Sequence, residues 1–380
     1  MIIGFNATNI LSPGGILHLQ NILGHADPSK DNFSKVILWA PEKIIKNLPK
    51  KNWLELRNEN ELGKNIAQRF FGFLYKSNKL KKIDCDILFN LCGYNIRNFK
   101  PNILIIQNQI PFELSIIFKY RSFKMILRFL VLRYIITRSI IKSNGVIFLS
   151  NFSMKRISKI MSNNISNPIV ISHGINKIFF NRKKIYKNEY YSFTNPMKFI
   201  YVSSLEKYKN HENLILAINE VKNNYPIHLT IIGNGQKADL KKILNLINQV
   251  NNDYEIIKHI KDINNTELTY HYNRSDACIY PSECETFGIS LIESMAAGLP
   301  ILSSNVYPMK EFIGPTGIYF NQNEVKDIVE KIIFFYENYE KRKKLSEEMY
   351  NNSIRFDWKE STRKTFSYIY SIYRQYQKKN

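Results

Sequence analysis

Short apolar runs recur along this chain, each followed by a longer stretch in which apolar residues return at helical spacing. In the first half such runs fall at residues 2–6, 35–40, 86–91, 103–107, 145–149 and 168–172. Runs this short, bounded by turn-forming residues, predict strands. Most are apolar throughout rather than at alternate positions, as expected of a parallel sheet covered on both faces by crossover helices. The pattern restarts at 198–202, 228–232, 254–259, 277–280, 300–303 and 317–320. Between the halves, residues 181–196 are polar, rich in Lys, Tyr and Asn, and without an apolar period, so they read as a linker. The expected architecture is α/β, with two doubly wound, Rossmann-like units in tandem, residues 1–185 and 186–357. A closing helix over 358–380 carries Phe366, Tyr368, Tyr370, Tyr373 and Tyr376, an aromatic stripe read as packing.

Length agrees with this division. A chain of 380 residues is too long for one ordinary core and fits two domains of about 150–200 residues. The sequence has no uncharged apolar stretch of about eighteen residues, which argues against a transmembrane helix. It opens Met-Ile-Ile-Gly-Phe-Asn-Ala, which reads as a strand without the basic flank of a signal peptide. The expected location is therefore the cytoplasm. Cys85, Cys92, Cys278 and Cys284 form neither a disulfide framework nor a zinc spacing, and are expected to be reduced. The net charge of +22 changes the picture more. Part of it reflects Lys at indifferent surface positions; the remainder favours an anionic partner such as nucleotide phosphates, an acidic membrane or nucleic acid.

The densest chemical signal is the segment from Pro281 to Pro300, which follows the apolar run at 277–280. It therefore lies on the loop leaving a strand, the place where open α/β sheets bind ligands. Gly288 allows a tight turn, and a helix is expected over about 289–297. The amides of Phe287, Gly288 and Ile289 belong to that helix start and suit an anion. Glu285 precedes the turn and Glu293 follows it, eight positions later. A carboxylate that accepts paired hydroxyl hydrogen bonds reads a sugar or a ribose well. Two such readers flanking an anion site match a sugar, a diphosphate and a ribose in line. Taken singly, either Glu is equally a solvated acid favoured by the helix dipole.

This segment resembles the E-x7-E signature of retaining glycosyltransferase family four, whose members have the two-domain GT-B fold. Other positions agree in order along the chain. Gly14-Gly15 is similar to the family's glycine loop, and Ser172-His173-Gly174-Ile175 to the end of its first domain. Residues 202–211 resemble its V-G-R-L-x-x-x-K-G element, and 229–235 its L-x-I-x-G-x-G strand and turn. Lys359-Glu360 after Trp358 is similar to its C-terminal helix, which in the family crosses back to the first domain. The resemblance implies two Rossmann-like domains facing each other across a cleft, with acceptor on the first and nucleotide-sugar on the second.

Carried onto these residues, the resemblance implies that Lys209 neutralises the donor diphosphate as it departs and that Glu285 holds hydroxyls of the transferred sugar. Phe287, Gly288 and Ile289 would lend amides, Glu293 would hold the ribose, and Gly15 would let a helix start approach the phosphate. Ser203, Ser204 and Gly233 fall in the donor-binding elements. The family's usual glycine and arginine are Ser203 and Ser204 here, one cation fewer at the diphosphate. Where many members carry His-Asp, this chain carries Gln107-Asn108, which can contact a sugar but cannot act as a base. His173 is a further candidate contact. That suits retention with the departing phosphate taking the acceptor proton. The implied reaction is metal-free and needs no cofactor. It moves a sugar from a UDP- or GDP-sugar to a saccharide or lipid-linked acceptor in surface polysaccharide or lipopolysaccharide assembly.

Three other patterns compete. Residues 233–238 fit G-x-G-x-x-A, with Glu255 about twenty positions on. A nicotinamide or flavin oxidoreductase would use that turn, but that reading ignores the segment from Glu283 to Pro300, and a tight strand-to-helix connection is the preferred explanation. Asp84-Cys85-Asp86 looks like a metal-nucleotide motif, but it precedes a strand, so a solvated turn and no metal are expected. Residues 118–142 are read as one helix in which Arg121, Lys124, Arg128, Arg138 and Lys142 share a stripe beside an apolar face. That pattern suits an interfacial helix on the anionic inner face of the cytoplasmic membrane. A basic nucleic-acid or membrane-binding module is the non-enzymatic alternative. No zinc finger, basic zipper or RNP signature supports nucleic acid.

Overall fold

The structure is a computed structural model that describes residues 1–10, 12–59, 84–93, 99–181, 185–251 and 254–379. The chain divides into two compact units, one of Met1–Gly174 with Phe356–Asn380 and one of Ile175–Arg355.

The first unit is built on a parallel sheet of β1 (Ile2–Asn6), β2 (Lys35–Ala40), β3 (Leu54–Asn58), β4 (Ile87–Asn90), β5 (Asn102–Ile106), β6 (Gly145–Phe148) and β7 (Pro168–Val170). The order is β3-β2-β1-β4-β5-β6-β7, so strand order reverses between β1 and β4. Helix α1 (Pro13–His25) follows β1; α2 (Phe123–Lys142) and α3 (Asn151–Ile160) flank β6. Ser12 caps α1, its Oγ accepting from Gly15 N at 3.2 Å, and Pro13 occupies the first turn, where a missing N–H costs nothing. Leu104, Ile106, Phe112, Ile136, Ile140, Val146, Phe148 and Ile157 form one core cluster. The closing helix (Trp358–Lys379) packs against α1 and buries Trp358, Phe366, Ile369 and Ile372. Of its aromatic stripe, Phe366 and Tyr368 are buried, Phe366 stacking on Phe33 at 4.8 Å.

The second unit repeats the plan. Its sheet contains β8 (Met197–Val202), β9 (Ile227–Ile232), β10 (Ile257–Ile260), β11 (Ala277–Tyr280), β12 (Ile301–Ser304) and β13 (Ile318–Phe320). The order is β10-β9-β8-β11-β12-β13, again parallel and again reversing after the first strand. The helices are α4 (His211–Val221), α5 (Lys237–Val250), α6 (Asn265–Arg274), α7 (Ile289–Ala296), α8 (Val325–Glu337) and α9 (Tyr339–Ser353). Two Rossmann-like α/β units are thus observed, as expected.

Three local expectations need correction. β3 was not anticipated, because Leu54-Glu55-Leu56-Arg57-Asn58 alternates instead of running apolar. It sits at the sheet edge, where Leu54 to Arg57 are all only half-buried. The basic stretch 118–142 is not one helix. A short helix ends at Lys119, Arg121 adopts φ +48°, and α2 begins only at Phe123, so Arg121 leaves the stripe. The expected linker lies partly outside the described residues, at 182–184. Its remainder packs onto the second unit: Arg342, itself 1% exposed, donates to Tyr186 O at 3.0 Å and Asn188 Oδ1 at 2.7 Å. Tyr186 and Tyr190 stack at 4.3 Å. Counting polarity missed this because tyrosine packs its ring while exposing its hydroxyl. As for Asp84-Cys85-Asp86, Asp86 accepts from Ile2 N at 2.7 Å at the amino end of the first sheet.

Candidate active site

The candidate residues fall into two groups, one in each unit. In the second unit they sit on loops leaving β8, β9 and β11 and on the first turns of α7, at and beside the point where strand order reverses. The loop after β8 makes a 3-10 turn, Lys207–Lys209, and Asn210 then takes the left-handed conformation at φ +57° before α4 begins. Tyr201 OH donates to Lys209 O at 2.8 Å and fixes that turn from below. The loop after β11 carries Glu285. Although 76 positions apart, the two side chains meet: Lys209 Nζ lies 2.5 Å from Glu285 Oε1, each side chain only 10% exposed. Adjacent carboxyl ends at the reversal are what bring distant loops together. Tyr280 OH, from the last residue of β11, donates to the same Oε1 at 2.9 Å. Glu285 is therefore held by a cation and a phenol.

Three residues after Glu285 the chain turns. Gly288 has φ +79°, a conformation that strains any side chain, and its Cα hydrogen faces Tyr280 Oη and Glu285 Cγ. Helix α7 starts at Ile289, so its first amides have no intrahelical acceptor and suit an anion. Ser290 Oγ donates to Val202 O at 2.7 Å, tying the helix start to the end of β8. Phe287 buries its ring against Phe312, leaving only its backbone as a possible ligand contact. Glu293 lies one turn further, buried at 6% exposure, and accepts from Tyr272 OH at 3.3 Å. Burial pushes its carboxyl up to about 7, the tyrosine bond opposing weakly.

Ser203 Oγ lies 3.0 Å from Nε2 of His211, a ring that burial holds neutral, with its pKa lowered to about 3. Ser204 Oγ donates to Glu206 Oε2 at 3.0 Å. Gly233 is explained by packing: a Cβ there would fall 1.9 Å from Ser203 O. At Gly235 it would fall 2.7 Å from Leu205 Cβ. Both glycines of the G-x-G turn thus let the β9 loop lie against the β8 loop.

In the first unit the structure gathers Gly15, Gln107 and His173 around His18. Gln107 Nε2 donates to His18 Nδ1 at 3.1 Å, since an amide N–H can only donate. Burial lowers His18 to about 3 and His173 well below its ordinary value, so both rings are neutral. The two rings lie 4.5 Å apart, and Trp358 covers His173 at 5.4 Å. Gly174 admits this: a Cβ there would meet Trp358 N at 2.1 Å. Gln107 Oε1 is left facing Gly15, 3.3 Å from where a Cβ would stand. Asn108 does not join the group through its Oδ1, which caps its own turn by accepting from Ile110 N at 3.1 Å. Tyr280, Tyr272, Tyr201 and His18 are the contributors that sequence reasoning missed. Only Tyr280 carried a signal, as the last strand residue before the densest motif.

Residues 182–352, all within the second unit, match the family model described as "Glycosyl transferases group 1". Among curated proteins the chain is similar to a glycogen synthase of Mycobacterium tuberculosis, 32% identical over 33% of this chain and 30% of the relative. It is similar also to the O-antigen chain mannosyltransferase B of Escherichia coli, 26% identical over 35% of each chain. A third relative is the alpha-monoglucosyldiacylglycerol synthase of Acholeplasma laidlawii, 29% identical over 37% of this chain and 34% of that one. The chain thus spans about a third of the length of each of these relatives. Solved structures cover far more. Sucrose-phosphate synthase from Thermosynechococcus elongatus superposes with TM-score 0.76, 14% identity and all of both chains. Anabaena HepE, solved in complex with UDP-glucose, gives TM-score 0.71 at 16% identity over 98% of this chain and 99% of the other. Likeness at such low identity concerns the fold, which is that of GT-B glycosyltransferases.

Proposed function

We propose that this protein is a retaining, metal-independent glycosyltransferase of the group 1 type. It moves a sugar from a UDP- or GDP-sugar to a saccharide or lipid-linked acceptor in surface polysaccharide or lipopolysaccharide assembly, at the inner face of the cytoplasmic membrane. The observation that carries this reading is the Lys209–Glu285–Tyr280 contact beside the Gly288 helix start, with the buried Glu293 one turn on. The relatives named above support the chemistry, two of them by names that specify an O-antigen chain and a diacylglycerol product.

The roles follow from the chemistry of each group. The first amides of α7 and the ammonium of Lys209 receive the diphosphate, which needs most charge neutralisation as the leaving group departs. Lys209 turns from Glu285 to phosphate, and Glu285 is then free to accept sugar hydroxyls while Tyr280 keeps it aimed. Glu293, shielded from water, accepts the paired ribose hydroxyls. The anomeric carbon loses its bond to the phosphate oxygen and gains one to the acceptor oxygen on the same face. The acceptor proton passes to the departing phosphate oxygen. Charge stabilisation of this kind is worth about 10²–10³ in rate per donor.

A thermal-shift screen against UDP-, GDP- and ADP-sugars tests the reading. Donor at 100 Kd should stabilise the fold by about 2.7 kcal/mol. Glu293→Ala should abolish most of the nucleotide-induced shift, whereas Glu285→Ala should keep the shift and lose turnover. Parent-rate sugar transfer by both variants would overturn these roles.

A further inference from the structure

Helix α2 has two apolar faces. Phe129, Ile136 and Ile140 are buried in the first unit. On the opposite side Phe123, Leu127, Leu130, Tyr134 and Ile141 stand exposed, Phe123 at 81%. At about 100° per residue these five lie within about 60° of one another. Beside them runs a second stripe of Lys124, Arg128, Arg138 and Lys142, all exposed, which spans about 80°. The helix contains no Asp or Glu. The Arg138 guanidinium lies 5.5 Å from the Tyr134 ring centre, so the two stripes adjoin. Leu114 and Phe118, on the short helix just before, add further exposed apolar side chains.

An apolar patch with a cationic border selects its partner by charge. A two-fold contact with a second copy would set basic stripe near basic stripe in a chain of net charge +22. An anionic bilayer accepts both stripes at once, acyl chains for one and phosphates for the other. We propose that α2 lies flat on an anionic lipid bilayer, with Phe123, Leu127, Leu130, Tyr134 and Ile141 inserted and the four bases on the headgroups. As the crossover between parallel β5 and β6, α2 starts at the carboxyl edge of the sheet, the edge that receives ligands. Flat docking lays the whole crossover along the headgroups, this ligand edge included, level with a lipid-linked acceptor. That last consequence rests on the glycosyltransferase reading; vesicle binding does not.

Sedimentation of the full-length protein with phosphatidylcholine vesicles, with and without phosphatidylglycerol, tests the docking. Binding should require the anionic lipid and weaken with salt. Lys124→Gln, Arg128→Gln, Arg138→Gln and Lys142→Gln together should lower partitioning by at least two orders of magnitude, roughly fivefold per charge. Phe123→Ser with Leu127→Ser should lower it by tenfold or more while the salt dependence stays. Equal binding to neutral vesicles, or parent-like partitioning of the fourfold variant, would overturn the proposal. A dimer in sedimentation velocity that Phe123→Ser with Leu127→Ser dissolves, with vesicle binding unchanged, would assign the face to a second copy instead. The donor-induced thermal shift, measured on the same variants, should keep its parent size, so a failure here is separable from a failure of the catalytic reading.

Discussion

The two units share a strand order and differ in what they place where it reverses. In the first, the last residues of β1 and β4 are Asn6 and Asn90, and their amides pair at 3.0 Å with both residues all but inaccessible. In the second, the loops just beyond the corresponding strands set Lys209 against Glu285. One reversal is closed by a neutral amide pair whose remaining groups bond Thr8 and Ile103 O. The other keeps a charge pair, each side chain about 10% exposed, which under the proposed function exchanges its partners for a phosphate and a sugar. The lesson is that a shared order of the first six strands supplies a position, and the side chains there decide whether it is closed by neutral amides or by charges. The first unit's other candidate groups are neutral as well: two imidazoles that burial keeps uncharged and the Gln107 amide.

This contrast can be broken, starting with its largest element. Lys209→Met should cost about 3 kcal/mol of stability in chemical denaturation by stranding Glu285, and lower turnover by about 10²–10³. Adding Glu285→Gln should restore the stability and not the turnover. Recovery of both would reduce the pair to a structural one.

Glu293 gives the next effect. Its folded pKa is raised above the unfolded value, so the folded state holds a proton that the unfolded state releases. The associated stability is fully present below about 4.5 and is lost as pH rises through about 7. Glu293→Gln should remove that slope and gain roughly 2–4 kcal/mol over the parent at pH 8. Parallel parent and variant stability curves across this window would contradict the burial argument.

In the first unit effects should be smaller. Gln107→Leu leaves His18 Nδ1 buried without its donor, at about 1–2 kcal/mol in thermal denaturation, with no change in the nucleotide-induced shift. A lost shift would move Gln107 into the donor site. Ser203→Ala, which removes the bond to His211, should cost about 1 kcal/mol, the smallest change of the series.

Much of this was legible before the structure. The apolar runs located the buried strands, the restart of the pattern gave two units, and Gly288 marked the turn into a helix between Glu285 and Glu293. What escaped did so for definite reasons. β3 alternates at a half-buried sheet edge, and a search for continuous apolar runs passes over it. The break at Arg121 is a backbone conformation that helical spacing on either side conceals. The segment 185–196 packs through tyrosines, which hydropathy scores as polar.

The sequence by itself determined the layered α/β plan, because burial of apolar runs on both faces leaves little alternative, and it determined which loop carries the acids. It could not determine that Lys209 faces Glu285, that Tyr280 and Tyr272 hold the two carboxylates, or that His18 receives Gln107. Those contacts join residues from 5 to 89 positions apart, most of them on loops and helices that leave different strands. Only the closing of the parallel sheets, which stacks the carboxyl ends of neighbouring strands side by side, converts such separations into hydrogen-bond distances.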